Sequence, residues 1–340
     1  MSIPVGPARI VYATFATTRR SGGVHVMSEH VRLLREAGYD ASLWVPGPGG
    51  PPSWFDAAVP TLVGPTQPLA ADDVLVVPEV PVVPGQDPAP GGRTVIFNQN
   101  HFFTFAAAST ADGPFPDWSA EPAVWTVSRE SRDVLRALSP RTEVTVVPNP
   151  VNVDRFRPRA AGEASVAWFS RKRPHESALL QRLLREDART AGTTLHPLSD
   201  EQWDEVAAVL GRATVFVALG HSEGFGLPIA EALAAGCLVT GYDGGGGREL
   251  FEAPGAWPVA EQRPLLLVDR VADLLSRRHE LAETSQQNRS WVLERHSPDV
   301  TRAALVPALE GVMRRPASAT TAVHPARWLD RLAPGFHLTG

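Results

Sequence analysis

Glu223 and Glu231 stand on either side of a Gly-Phe-Gly-Leu-Pro turn, within residues 222–247, a stretch that holds eight glycines in 26 residues. Glycine carries a high entropic cost, so this density marks backbone that bends tightly or lies close to another group. Pro228 suits the first turn of a helix, and Gly236 suits its end. The helix then starts directly after Gly224-Phe225-Gly226-Leu227. Its unpaired N–H groups and positive end point outward, a geometry that holds a phosphate or pyrophosphate.

A carboxylate repels such an anion, so the two glutamates address something else. Glu231, one turn into the helix, reaches past the anion to hydroxyl groups, and Glu223 does so from the other side of the turn. The ligand implied has polyols at both ends of a diphosphate, as a nucleotide sugar does. Taken singly, each acid also fits a solvated loop or helix position.

Other polar clusters sit at the ends of apolar runs. Arg171, Lys172 and Arg173 follow the run at 165–169 and offer cations, with the bidentate fork of arginine, to a diphosphate. Gly22 and Gly23 open the first long helix and form a second helix-start site. In "IFNQNHFFTF" (residues 96–105), Asn98, Gln99, Asn100 and His101 close an apolar strand. Polar groups there need partners. His101 reads as a contact to the transferred sugar or the acceptor, or as a hydrogen-bonded structural histidine. Pro197 and Leu198, at the end of another second-half strand, mark a pocket for the nucleotide base.

The elements that position these residues follow from periodicity. Strands are expected at residues 9–15, 41–45, 73–77, 94–98, 124–127 and 143–147, with helices at 23–37 and 128–138, the second capped by Ser128. A Pro-rich linker follows at 147–164. The series restarts with strands at 165–169, 193–196, 213–218 and 237–241 and helices at 176–186, 199–210 and 228–235. Helices at 271–278, 282–295 and 298–314 follow, with a short one at 326–333. Continuous apolar strands alternating with helices predict parallel sheets covered on both faces, in two doubly wound α/β domains that face a central cleft. The boundaries read as residues 1–150, an acceptor domain; 151–315, a donor domain; and 316–340, a tail packing back on the first domain.

Composition narrows the partners. The 340 residues carry a formal charge of −5, with 43% hydrophobic and 20% charged residues. There is no basic block for nucleic acid. The single cysteine, Cys237, excludes a disulfide framework and a cysteine-based zinc site. No apolar run reaches membrane-spanning length, and the N-terminal residues lack a signal pattern, so a cytoplasmic location is expected. No amphipathic basic helix is evident for membrane docking, which favours a small-molecule acceptor over a lipid. The Ala/Arg/Pro/Gly-rich composition hints at a bacterial source. The oligomeric state is not legible.

"EGFGLPIAEALAAG" resembles the Glu-x7-Glu signature of retaining glycosyltransferase family 4. "GYDGGGGREL" is similar to that family's Gly-Gly-x-x-Glu segment, with Glu249 as its acid. "VVPNPVNVDRFRP" resembles its inter-domain signature, with Pro150 where Gly is usual. "SGGVHVMSEHVRLLREAGYD" resembles its first loop and helix. The resemblance spans residues 9 to 260 and implies a GT-B fold of two Rossmann-like domains. It implies that Glu231 binds the nucleotide ribose and Glu223 the sugar hydroxyls. The N–H groups of Phe225, Gly226 and Leu227 would bind sugar and phosphate, and the Gly22–Gly23 loop would approach the donor phosphate. The family's Arg matches Arg171, but the Lys five residues on is replaced by Glu176. Lys172 and Arg173 are the alternatives for the second cation.

The expected chemistry is glycosyl transfer from a UDP- or GDP-linked sugar, with retention implied by the resemblance alone. Arg171, Lys172, Glu223 and His101 are the expected catalytic residues. No Asp-x-Asp motif is present, so neither metal nor other cofactor is expected. A sugar-nucleotide epimerase or phosphorylase of the same architecture, and a non-catalytic nucleotide-sugar-binding partner, are the competing readings.

Overall fold

The computed structural model describes residues 8–14, 20–46, 50–55, 58–106, 115–118, 121–159, 163–199, 201–280, 282–317 and 321–323. Phe15 (the last residue of the first expected strand), the helix expected at 326–333 and most of the 316–340 tail lie outside these residues. The chain divides into two compact units, one of residues 1–148 with 301–340 and one of residues 149–300.

The first unit contains strands β1 (Arg9–Ala13), β2 (Asp40–Val45), β3 (Thr61–Val63), β4 (Gln67–Leu69), β5 (Val74–Pro78), β6 (Arg93–Asn98), β7 (Ala123–Thr126) and β8 (Val144–Val146). Its helices include α1 (Gly22–Glu36) and α2 (Arg129–Leu138). Seven strands form a sheet in the order β3-β2-β1-β5-β6-β7-β8, and every pairing is parallel. The apolar runs become its buried strands, and Val11, Leu75, Val77, Ile96 and Val124 share one core cluster. On α1, Val24, Met27, Val31 and Leu34 fall at helical spacing and are buried. Strands β3 and β4 escape the sequence reading because neither is a buried apolar run: β3 is no more than half-buried, and β4 reads Gln-Pro-Leu.

The second unit runs β9 (Ser165–Phe169), α3 (Pro174–Glu186), β10 (Thr194–Leu198), α4 (Trp203–Leu210), β11 (Val215–Leu219), α5 (Leu227–Ala234), β12 (Leu238–Tyr242), β13 (Ala256–Pro258), α6 (Pro264–Ser276) and α7 (Ala282–His296). Its five strands are parallel, in the order β10-β9-β11-β12-β13. Trp168, Leu180, Leu184, Val215, Val217, Tyr242, Val271 and Leu274 pack in its core. Helix α6 begins before residue 271, where the sequence reading placed it, because Pro264 starts it while Leu265 and Leu266 stay exposed. Both units are therefore parallel-sheet, Rossmann-like α/β structures.

Two last elements are α8 (Pro298–Met313) and β14 (Thr321–Val323). The sequence reading grouped residues up to 315 with the second domain, whereas residues from Thr301 onward cluster with the first unit. The contacts explain this: Tyr39 donates to Glu310 at 3.0 Å and Arg93 Nε to the Arg315 carbonyl at 2.8 Å. Strand β14 pairs antiparallel with β4, Thr321 opposite Leu69. Among the described residues no helix is long and apolar enough to cross a membrane.

Each sheet has one place where strand order reverses, the usual ligand crevice of such sheets. In the first unit it lies between β1 and β5, and in the second between β9 and β11.

Candidate active site

The second unit brings its sequence-marked residues to that reversal point. Strand β9 leads into Arg171-Lys172-Arg173, and its neighbour β11 leads into the Glu223 loop. Lys172 Nζ donates to Glu223 Oε1 at 2.8 Å, joining the two loops across the end of the sheet. Both side chains are largely buried, at 25% and 14% exposure. Arg171 is exposed on the same loop.

The glycine-rich turn takes the backbone its composition requires. Gly226 caps α5 with φ 92° and ψ 53°, a left-handed conformation that L side chains rarely adopt. Pro228 falls in the first turn, as expected. By position, the N–H groups of Gly226 and Leu227 have no carbonyl of the helix one turn behind them. Phe225 is buried, its ring 4.9 Å from that of His296.

The second glycine run, Gly244–Gly247, lies against this turn. Glu223 N–H donates to the Gly244 carbonyl at 2.8 Å, and Gly246 N–H donates to the Glu223 carbonyl at 2.9 Å. A side chain on Gly246 would collide with the Gly224 carbonyl. The glycines therefore let two loops lie back to back, and Glu223 is held in their seam. Glu249 sits half-buried just beyond, in the short helix Arg248–Glu252.

Glu231 lies on α5, 9% exposed. Burial pushes its carboxyl up to about 8, with Arg155 acting in the opposite direction. A buried carboxyl in this state accepts hydroxyl donors strongly once it ionises. On the other edge of the sheet, Leu198 is buried and Pro197 exposed. The Leu198 carbonyl accepts from Ser170 N–H at 2.8 Å and from Ser170 Oγ at 3.0 Å.

The first unit accounts for the polar string after β6. Asn98 donates to Thr104 Oγ1 at 2.9 Å, and Asn100 Oδ1 accepts from Phe102 N–H at 3.1 Å. Gln99 donates through Nε2 to the Gly23 carbonyl at 3.3 Å, so this loop touches the start of α1 where Gly22 and Gly23 lie. His101 Nδ1 lies 2.9 Å from Ser131 Oγ, which receives a bond from Ser128 Oγ at 2.9 Å. Burial lowers the His101 pKa and the charge of Glu130 opposes it, which favours the neutral imidazole. Each of the three amides thus braces the loop through one atom, although Asn98 Oδ1 is buried with no hydrogen-bond partner among the described residues, and the half-buried His101 ring is anchored through one nitrogen.

Sequence reasoning missed several groups. Glu79 closes β5, fully buried, and its carboxylate accepts Gln99 N–H at 3.0 Å. Burial pushes it up to about 7, against the backbone donors of Gln99 and Asn100. An acid ending "VLVVPE" was the available signal. Tyr242 and Glu261 had no such signal, because their relation to Arg173 is set by the fold.

Residues 184–291, about a third of the chain, match the family described as Glycosyl transferases group 1. The matched span contains Glu223, Glu231 and Glu249, whereas Arg171, Lys172 and Arg173 precede it. An alpha-1,6-glucosyltransferase of Actinobacillus pleuropneumoniae serotype 7 is 24% identical over 245 residues, covering 69% of this chain and 72% of that protein. Sucrose-phosphate synthase from Thermosynechococcus elongatus superposes with a TM-score of 0.66 at 12% identity, over 90% of this chain and 99% of that one. Anabaena HepE, solved in complex with UDP, gives 0.64 at 14% identity, over 89% and 100%. The two parallel-sheet units are those of the GT-B architecture. With a group 1 domain in the second unit, the chain is a glycosyltransferase.

Proposed function

We propose that the protein transfers a glycosyl group from a nucleoside-diphosphate sugar to a small-molecule acceptor, with retention and without a metal. The observation that carries this reading is the Lys172–Glu223 pair at the head of α5. A cation for phosphate and an acid for sugar hydroxyls meet beside free helix N–H groups, at the reversal point of a parallel sheet. The relative named as a glucosyltransferase and the HepE complexes with UDP and UDP-glucose favour a UDP-linked glucose among the possible donors.

In this reading the leaving diphosphate is stabilised by Arg171, Lys172 and the start of α5. Arg173 is the alternative second cation. Glu223 takes the sugar hydroxyls and Glu231 the ribose. Gly224, Phe225, Gly226 and Leu227 let backbone approach sugar and phosphate. Pro197 and Leu198 border the base. Gly22 and Gly23 are assigned to the donor phosphate, and His101 to the sugar or acceptor. The departing phosphate oxygen takes the acceptor proton, so no side chain serves as general base. A cytoplasmic, bacterial biosynthetic role for a glycoside or specialised metabolite accords with the composition.

Thermal stabilisation by a panel of UDP- and GDP-sugars, followed by product analysis with and without acceptor, tests the proposal. Stabilisation by one nucleotide sugar, with acceptor-dependent sugar transfer unaffected by EDTA, is expected. Turnover of the nucleotide sugar to an isomer without acceptor would replace this reading with an epimerase.

A further inference from the structure

Arg173 belongs to the basic loop, yet its guanidinium is already engaged by other groups of the protein. Nε donates to the Gly220 carbonyl at 3.1 Å, Nη1 to Glu176 Oε2 at 3.2 Å and Nη2 to Glu261 Oε2 at 2.7 Å. The guanidinium lies 5.2 Å from the centre of the Tyr242 ring. The Tyr242 hydroxyl in turn donates to Glu176 Oε1 at 2.6 Å. Tyr242 is fully buried, and the Arg173 side chain is 13% exposed.

Two of these contacts lie at the roots of the glycine-rich loops. Gly220 is the first residue after β11 and begins the Glu223 loop. Tyr242 ends β12 and begins the loop of Gly244–Gly247. The two loops bond to each other through Glu223, Gly244 and Gly246. One guanidinium thus grips both, and Glu176 fastens it to the first turn of α3.

Charge argues the same way. Two carboxylates already neutralise Arg173, so it offers a diphosphate little field unless one of them is displaced. Burial works to lower its pKa, but Glu261 and Glu176 outweigh that and hold it above the ordinary guanidinium value. Among the described residues Lys172 pairs with one acid, Glu223, which the donor reading assigns to the sugar.

We infer that Arg173, Glu176, Glu261 and Tyr242 form a positioning clamp for the two glycine-rich loops, and that Lys172 is the second cation facing the diphosphate. What the loops hold rests on the donor reading above; the clamp itself does not. Glu176 occupies the position where the family resemblance led one to expect a lysine, and its two oxygens are engaged by Tyr242 and Arg173. The cation is therefore supplied from four residues earlier, at position 172.

Hydrogen exchange on the ligand-free protein tests the clamp without a donor. Arg173→Ala is expected to speed exchange at both 220–226 and 243–247, and unchanged protection in either loop overturns the clamp. Calorimetry with UDP and with UDP-glucose then separates positioning from direct contact. Arg173→Ala should leave UDP affinity within about threefold and weaken UDP-glucose about tenfold or more, whereas Lys172→Ala weakens both. Added to Glu223→Ala, it should cost UDP-glucose little further affinity, because both changes disable one loop. Equal losses for UDP and UDP-glucose, or full additivity, overturn the positioning role. Should Arg173→Ala not fold, Glu261→Gln removes one partner at the surface and is expected to give the same pattern at reduced size; wild-type behaviour in both measurements overturns it. If the wild type binds neither compound, the donor reading fails, and the exchange result alone decides the clamp.

Discussion

Lys172 Nζ and Glu223 Oε1 lie 2.8 Å apart, and they come from loops that follow neighbouring parallel strands. Each satisfies the other while no donor is present. In the proposed reading a diphosphate sugar competes for both, its phosphate for the lysine and its hydroxyls for the glutamate. Glu223→Gln therefore separates the two halves of the ligand. It should bind UDP as tightly as wild type or tighter, because an acid near the phosphates is gone and Lys172 is released. Turnover of the nucleotide sugar should fall by about a hundredfold, a loss near 2.7 kcal/mol of transition-state stabilisation. Calorimetry and steady-state kinetics on the same preparation check both halves, and weaker UDP binding would place Glu223 on the phosphate side.

Arg171 is exposed, so its removal has little packing consequence. Arg171→Ala should leave the thermal midpoint within about 2 °C of wild type, as surface changes do. Turnover should drop below detection if Arg171 meets the leaving phosphate. A thermal melt and a product assay suffice, and retained turnover would remove it from the catalytic set.

Glu231 gives a pH signature. Its folded-state pKa of about 8 lies above the ordinary value of 4.5, so the native chain holds the extra proton between those values. The stability it contributes is full below 4.5 and is lost as pH rises through 8. Glu231→Gln should flatten that part of the stability decline, read as thermal midpoint against pH. Ribose hydroxyls donate best to the ionised carboxylate, so nucleotide affinity should gain from raising pH from about 6 to 9 in wild type and gain less in Glu231→Gln. Parallel pH profiles of the two proteins would refute the ribose contact.

Gly226 holds a left-handed conformation at the head of α5, and a Cβ there would lie 3.2 Å from Ile229 Cδ1. Gly226→Ala should destabilise the fold by about 1–2 kcal/mol. The same change tilts the first N–H groups of the helix, so donor affinity should fall even at temperatures where the variant is fully folded. Unfolding curves and UDP titrations compare the two effects, and unaltered affinity would mean that the helix head does not face the ligand.

The strands were legible because parallel sheets bury both faces and leave continuous apolar runs, such as Val74–Val77 and Val215–Leu219. The elbow was legible because Gly226, Pro228 and the two glutamates are local signals in one stretch. What stayed hidden depends on distance in sequence. Arg173 reads as another phosphate cation until Glu261 and Tyr242, from elements far along the chain, close around it. Asn98, Gln99 and Asn100 read as polar groups in need of partners, and Thr104, Gly23 and Phe102, which meet one atom of each, are set by how the loop folds. The return of residues 301–317 to the first unit was hidden for another reason. Helix α8 begins at Pro298, and its buried Thr301, Leu305, Leu309 and Val312 show a helix face but not which unit that face packs on.

That return makes the two units unequal in one respect. Residues 149–300 form an uninterrupted segment, whereas the first unit is assembled from both ends of the chain. The second unit is thus an insert carried within the first, and a single stretch of gene encodes all of it. Exchange of that stretch between related chains would transplant the glycine-rich loops, the basic loop and the clamp together. In the donor reading proposed above, donor preference would then be a trait inherited in one piece, while loss of the N-terminal strands or truncation of α8 would each remove part of the first unit.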